Sequence, residues 1–199
     1  MNKVFIILLM VFAGTACTQE NFIDTGKASG VFDGNMIEYM KSDPLNWDST
    51  LVVIEWAGLT PLFEGKDAQY PEITFFGPTN LSILRYMLNN KIERVKDVEP
   101  EVWKDMLLRY VIAGKHMKDS FSIGDVDKGG DTFTALAGNR IRVYRKLNAY
   151  KETPDVGPVS LHIQSSDTGY SIVQVASADI EPDNGAVHSL VYSFTFGKF

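Results

Sequence analysis

Cysteine is almost absent from this chain: Cys17 is the single cysteine among 199 residues. An exported protein therefore cannot use it for an internal disulfide. Long apolar runs are missing as well. The run from Val4 to Ala13 is about half of the roughly 20 residues that span a bilayer, so it does not predict a transmembrane helix.

Histidine is also scarce, and His116, His162 and His188 lie far apart in the sequence. They lack the i, i+4 spacing and the cysteine partners of a metal site on one element. The chain has no glycine-flanked serine elbow, no phosphate-cradling glycine loop and no dinucleotide fingerprint. Carboxylates are plentiful, but sequence alone cannot pair them as acid and base. We therefore predict no metal, no cofactor and no enzymatic activity.

The first residues have the three parts of a secretory signal: Lys3, the apolar run and the small residues Gly14-Thr15-Ala16. Cys17 follows directly, and this order resembles a bacterial lipobox, in which the cysteine sulfur receives a diacylglycerol and becomes the new N-terminus. The alternative is an ordinary signal peptide cut nearby, with Cys17 incidental. The residues that follow, Gln19-Glu20 and Asp24, make the tether mildly acidic, which resembles the export tag of surface lipoproteins in Bacteroidetes-like bacteria.

These features predict a signal peptide over residues 1–16, a lipidated flexible tether over 17–30 and a single domain over 31–199. Without Lys3, 18 basic residues remain against 25 acidic ones. Such a balance argues against nucleic acid or an anionic membrane surface as the main partner. We expect an exported protein that is lipid-anchored in the outer membrane, on either its cell-surface side or its periplasmic side.

Helical spacing dominates the first half of the chain, and alternation with glycine punctuation dominates the second. The predicted helices are Asn35 to Lys41, Trp47 to Ala57, Leu81 to Leu88 and Pro100 to Tyr110, and a strand from Ile73 to Phe76 lies among them. The predicted later strands are Thr132 to Ala137, Arg140 to Lys146, Val159 to Gln164, Gly169 to Val175 and Ala186 to Phe194. Helices first and strands afterwards predict an α+β domain.

The helix from Leu81 is expected to turn Leu81, Leu84 and Leu88 inward, with Thr79 or Asn80 as its cap. Phe75 and Phe76 are most simply core residues, because a strand buried on both faces reads as a continuous apolar run.

Three motifs stand in order along the chain. They are Ile73-Thr74-Phe75-Phe76-Gly77-Pro78-Thr79-Asn80, then Leu107 to Gly114, and finally Ala178-Asp179-Ile180 with Asn184-Gly185-Ala186-Val187-His188. Together they resemble the motifs of the fasciclin domain family. The middle motif keeps Tyr110 but has Val111 in place of the family's histidine, and Val191 stands where the family has an aspartate. The resemblance implies a fasciclin-like fold, with N-terminal helices packed on a mostly antiparallel β-sandwich or wedge.

The resemblance also implies a contact site at Asp179 and Ile180, in the region that adhesion proteins of this family use for cell-surface receptors. The alternative for Asp179 is a strand-end carboxylate that caps a turn. His188 is a candidate for ligand binding or for pairing with a buried polar group, and Asp183-Asn184-Gly185 is most simply a hairpin turn.

A second candidate surface comes from alternation. Period two places Arg140, Arg142 and Tyr144 on one face of a strand, with Ile141 and Val143 on the other. This face is either a solvated outer surface or a basic and aromatic patch for acidic glycans, because guanidinium groups suit carboxylate or sulfate and tyrosine offers a stacking plane.

Two functions follow from these features. The first is a lipid-anchored, non-catalytic adhesion or recognition module for an extracellular protein or polysaccharide. The alternative is a structural or accessory component of an outer-membrane or periplasmic assembly, whose partner is another envelope protein. An exposed apolar patch would favour the second, because permanent protein partners bury apolar surface.

Overall fold

The computed structural model describes residues 30–167, 172–197 and 199. The predicted signal peptide, Cys17 and nearly all of the predicted tether lie outside these residues, as does the start of the strand predicted from Gly169. Within the described residues, no helix is long and apolar enough to cross a membrane.

Helices fill the first half of the described chain. The first begins after Asn35, whose side-chain oxygen accepts hydrogen bonds from the amides of Ile37 and Glu38 at 3.0 and 3.1 Å, which satisfies free donors of the first turn. The second begins at Pro44, earlier than the predicted Trp47, because the fixed φ of proline suits the first helical position. The five α-helices of the described residues are α1 (Met36–Ser42), α2 (Pro44–Trp56), α3 (Thr60–Phe63), α4 (Asn80–Asn89) and α5 (Pro100–Leu108).

Strands make up most of the second half. They are β1 (Ile73–Gly77), β2 (Val111–Ala113), β3 (Asp131–Thr134), β4 (Arg140–Leu147), β5 (Val159–Ser165), β6 (Ile172–Ile180) and β7 (Gly185–Leu190). Sequence analysis missed β2, because three apolar residues directly after a helix carry no alternation. The predicted extension of the third strand to Ala137 is wrong, since the amide of Gly138 bonds back to the carbonyl of Ala135 in a turn.

The strands form one seven-stranded sheet in the order β2-β1-β7-β6-β5-β4-β3. β1 runs parallel to β7, and the other pairs in this order run antiparallel. A bridge between Ile112 and Ala135 joins β2 to the residue after β3, so the sheet nearly closes on itself. The predicted α+β class, with helices on a mostly antiparallel sheet, is confirmed.

The core is formed by residues of the helices and of most strands, and β1 is buried throughout. All five residues of β1 are buried, which confirms Phe75 and Phe76 as core residues. Phe63 of α3 meets Phe75 edge-on at 4.9 Å between ring centroids, and Trp47 of α2 lies 6.4 Å from the same ring. Edge-to-face aromatic pairs of this kind stabilise a core beyond their buried area.

The inward stripe predicted for α4 is wrong. Leu81, Leu84 and Leu88 are 49%, 48% and 68% exposed, whereas Ile83 is fully buried. The helix turns its other apolar face inward because that face meets aromatic partners: Tyr86 lies 5.5 Å from Trp103 and 5.9 Å from Phe196.

The predicted cap of α4 also differs. The side-chain oxygen of Asn80 accepts from the amide of Ser49 at 2.7 Å, and its amide group donates to the carbonyls of Pro44 and Leu45. Asn80 therefore fastens the start of α4 to α2. Thr79 occupies the cap position with extended backbone, but its buried hydroxyl bonds to no described residue.

After β7 the chain leaves the sheet as a tail over residues 191–197 and 199, so the predicted strand to Phe194 is too long. Arg85 holds the tail by donating to the carbonyls of Tyr192 and Phe194 at 2.8 and 2.7 Å. Phe196 then stacks on Trp103 with the centroids 6.0 Å apart. The tail thus completes the core behind α4 and α5.

Candidate recognition site at the closing hairpin

The end of β6 carries an unusual backbone conformation. Asp179 has φ of 63°, a left-handed conformation that few residues other than glycine adopt and that aspartate tolerates better than most. The pairing of β6 with β7 shifts register between Ser177 and Ile180, so Asp179 lies on a bulge. Irregular, strained backbone of this kind is concentrated at functional sites in proteins.

The carboxylate of Asp179 is held by the neighbouring loop. Its Oδ1 accepts from the amide of Lys118 at 2.6 Å, and its Oδ2 lies 3.9 Å from Nζ of the same residue. Two steps along the chain, Glu181 forms an ion pair with Lys115 at 2.7 Å. We call the segments 115–118 and 179–181 together the hairpin ridge.

His188 joins the two segments of the hairpin ridge through hydrogen bonds to their backbones. Its Nδ1 accepts from the amide of Asp179 at 3.2 Å, and its Nε2 lies 2.9 Å from the carbonyl of His116. A neutral imidazole with its proton on Nε2 satisfies both contacts. The ring is fully buried and stacks on Phe76 at 5.4 Å, and burial lowers the pKa of His188 below its ordinary value. His188 therefore pairs with buried polar groups and is closed to a ligand.

The four charged side chains of the ridge are partly exposed, each between 28% and 35%. They alternate in sign, Lys118 beside Asp179 and Lys115 beside Glu181. Ile180 is half-buried and packs against the core, so it supports the ridge more than it projects from it. A ridge with both signs of charge is complementary to a protein surface of mixed charge.

Asn184 has a role that sequence analysis missed. It lies in the predicted hairpin turn, but only 7% of it is exposed. Its Oδ1 accepts from the amide of Met36 at 2.8 Å, and its Nδ2 donates to the carbonyl of Phe63 at 3.0 Å. The turn is therefore bonded to α1 and α3, which are more than a hundred residues away along the chain.

The expected exposure of Tyr144 is wrong. Alternation places Ile141 and Val143 inward as predicted, yet Tyr144 is fully buried as well. Its cross-strand partner His162 stacks on it at 5.3 Å, and the guanidinium of Arg142 lies 4.8 Å from its ring centroid. The neighbouring strand and Arg142 thus cover the plane that a sugar would need.

The two arginines of the same face have partners within the chain. Arg142 donates to the carbonyls of Asp125, Val126 and Gly129 and to the side chain of Gln164. Arg140 forms an ion pair with Asp167 at 3.1 Å. A depression of about 600 Å³ lies beside the segment that supplies these carbonyls. It is lined by charges of both signs, among them Asp125, Lys128, Lys146 and Asp155. This geometry does not favour a polyanion.

The middle motif lies in the core. Tyr110 is fully buried and packs against Phe194, Phe196 and Phe199. Val111, which stands where the family has histidine, is a buried residue of β2 and pairs with Phe75. Among residues 30–167, 172–197 and 199, no three His, Cys, Asp or Glu side chains come close enough to hold a metal ion.

The helices pack on a nearly closed, mostly antiparallel sheet in which β7 of the closing hairpin runs parallel to β1. These features define the chain as an α+β domain. Residues 46–191 match the family model described as Fasciclin domain. This range covers most of the chain, and the protein belongs to the fasciclin domain family. Domains of this family are a known type of cell-adhesion module and are generally non-enzymatic.

Among solved structures, the chain is similar to a FAS1 domain pair from the insect cell adhesion molecule fasciclin I. The TM-score is 0.55, the sequence identity is 14%, and the match covers 79% of this chain. The chain spans 49% of the length of that structure. At this identity the likeness is one of fold. The search of curated proteins finds no match.

Proposed function

We propose that this protein is a non-catalytic adhesion or recognition module that binds an extracellular protein through the hairpin ridge. The observation that carries the proposal is Asp179, a partly exposed carboxylate on a left-handed bulge, held by the Lys118 amide at 2.6 Å. Such a carboxylate is pre-organised, so a partner loses little entropy in ordering it. A lipid on Cys17 would tether the domain to the outer membrane.

The alternating charges of the ridge favour a protein partner over a polysaccharide. An acidic glycan would be attracted by Lys115 and Lys118 but repelled by Asp179 and Glu181, which lie beside them. Guanidinium groups on β4, the alternative glycan site, already donate to carbonyls and carboxylates of the chain.

Two measurements test the location. Cys17→Ala should release the protein from the membrane fraction if the cysteine carries the lipid, and membrane-bound protein in this variant would contradict the anchor. Protease applied to intact cells should digest the domain while a periplasmic control is spared. Protection until the outer membrane is opened would exclude adhesion to extracellular partners.

A charge-removal pair tests the ridge. Asp179→Asn keeps an oxygen for the Lys118 amide but removes the charge, so we expect at least a tenfold loss of attachment of cells to a panel of extracellular proteins. Glu101→Gln is the matched control, since Glu101 is 81% exposed on α5 and also faces a lysine. Equal attachment by the two variants would rule out the ridge, and binding to a glycan panel alone would point to polysaccharide.

A specific observation favours the second candidate function, a component of an envelope assembly. The outward leucines of α4 form the kind of apolar surface that lasting protein contacts cover. If the domain resists protease on intact cells, crosslinking within the envelope becomes the decisive experiment.

A further inference from the structure

Helix α4 has two apolar faces, and the structure uses one of them. Ile83, Tyr86 and Met87 pack inward, whereas Leu81, Leu84 and Leu88 face outward and are about half exposed or more. The outward leucines repeat at three and four residues, which is the spacing of a seam between two helices. We call these three leucines the outer stripe.

The outer stripe continues onto neighbouring elements. Leu45 of α2 is 88% exposed, and the hydrogen bond from Asn80 to its carbonyl places it beside the first turn of α4. Val52, about two helical turns after Leu45 on α2, is 40% exposed, and Tyr192 of the tail is 54% exposed. A contact from Tyr192 to Asn46 joins the tail to the same side.

The outer stripe itself carries no charged side chain. Arg85 is the charged residue of α4, and its guanidinium is bonded to the carbonyls of Tyr192 and Phe194. Every other residue of Asn80–Asn89 is uncharged. A cluster of exposed apolar side chains of this kind marks an interaction site in soluble domains.

We propose that the outer stripe is the interface between two copies of this chain, with the two α4 helices packed antiparallel about a two-fold axis. Asp48, exposed on α2, adjoins the start of α4, because the next residue, Ser49, bonds to Asn80. Lys91 is exposed just beyond the other end. An antiparallel pair brings Asp48 of one copy to Lys91 of the other, whereas a parallel pair sets like charges together.

The helix ends agree with this orientation. The start of a helix carries partial positive charge and its end partial negative charge, so antiparallel neighbours attract. A two-fold contact uses the same patch on both copies. Leu84 then lies nearest the axis and meets its own counterpart, while Leu81 meets Leu88. The exposed apolar residues on α2 and the tail widen this seam toward the ~800 Å² per partner that a stable interface needs.

Disulfide crosslinking in cells tests the arrangement, and the chain is suited to it because Cys17 is its single cysteine. In the full chain with Cys17→Ala, Leu84→Cys should give a band of twice the chain mass on a non-reducing gel after mild oxidation. Leu81→Cys and Leu88→Cys should each give little alone but should crosslink when expressed together. Glu101→Cys, on α5, is the matched control and should stay at the mass of one chain.

Each other outcome overturns the proposal in a distinct way. Self-crosslinking of Leu81→Cys and Leu88→Cys would show a parallel pair. Bands that contain another envelope protein would show a hetero-partner on the stripe, and no crosslink at any stripe position would show a free surface. As a second measurement, Leu84→Glu with Leu88→Glu should halve the mass of the purified full chain in mild detergent. Unchanged circular dichroism would show that the outward substitutions leave the fold intact.

Discussion

The backbone amide of Asp179 donates to Nδ1 of His188 across the closing hairpin, at 3.2 Å. The same ring faces the carbonyl of His116 through Nε2, so both ring nitrogens are used in one neutral tautomer. A proton on Nδ1 would set two N–H groups against each other. The geometry of the ridge therefore depends on an uncharged imidazole.

Acid should weaken the fold through this ring. Burial lowers the pKa of His188 below its ordinary value of 6.5. Below pH 6.5, His188 therefore binds a proton in the unfolded chain while it stays neutral in the folded one. Stability is fully present above that pH and falls as the pH drops, by up to about 1.4 kcal/mol per unit for this group. Burial and Lys146 lower the pKa of half-buried His162 in the same direction.

Urea unfolding at pH 7.5 and 5.5 measures this effect. The free energy of unfolding should be lower at pH 5.5, and His188→Gln should reduce the difference between the two values. His162→Gln is the comparison variant, and its effect on the difference should be smaller, because His162 is less buried. An equal pH dependence in the natural protein and His188→Gln would refute the assignment.

Asn184→Ala should be strongly destabilising. Loss of the amide leaves the buried Met36 N–H and the Phe63 carbonyl without their partner, and we expect a loss of about 2–4 kcal/mol in the free energy of unfolding. Asn89→Ala is the control, because Asn89 is exposed on α4. Urea midpoints compare the two, and similar midpoints would mean that water replaces the Asn184 contacts.

Gly185→Ala should disrupt the contact between β7 and β1. Gly185 has φ of 147°, and a Cβ atom there would overlap the carbonyl of Ile73. We expect a loss of more than about 3 kcal/mol. Gly58→Ala separates conformation from clash, since Gly58 also has positive φ but no atom lies within 4 Å of its added Cβ. That variant should lose about 1–2 kcal/mol. Thermal melts of both variants measure the two losses, and equal losses would contradict the clash.

Phe196→Ala tests the part of the tail that lies beyond the residues matched by the family model. Phe196 is buried to 1% exposure against Trp103, Tyr86 and Tyr110. Its truncation should lower the free energy of unfolding by about 3–5 kcal/mol. Thr195→Ala, in the same segment, should change it by less than about 1 kcal/mol. Equal melting temperatures for the two variants would show that the tail contributes little.

The parts of the fold that sequence predicted are those whose signals are local. The buried run of β1 and the alternation of β4 needed no distant information, and the Gly-containing turn before β7 was placed correctly. For α4 the sequence offers two apolar faces, and the choice between them depends on Phe196, more than a hundred residues later. Periodicity predicts a helix and its apolar faces, but it does not predict which face other parts of the chain will cover.

The sequence pointed to residues of the candidate site but not to their geometry. The motif pointed to Asp179, whereas its left-handed backbone and its bond to Lys118 arise from a register shift between strands. Tyr144 obeyed the alternation of its strand, yet its burial comes from His162 on the adjacent strand. Cross-strand and cross-chain contacts of this kind are absent from any local pattern.

The parallel pairing of β1 with β7 also constrains how the chain matures. Phe75 pairs with Val187, and Trp103 packs on Phe196. The pairing of β1 and the aromatic cluster therefore stay incomplete until the chain has been synthesised as far as Phe196. At a translation rate of roughly 5–20 residues per second, synthesis of the ~110 residues between Phe75 and Val187 takes about 6–22 seconds. During that time the helices and β1 lack the later partners that bury their apolar side chains, so we expect the nascent chain to stay unfolded until its last residues are made.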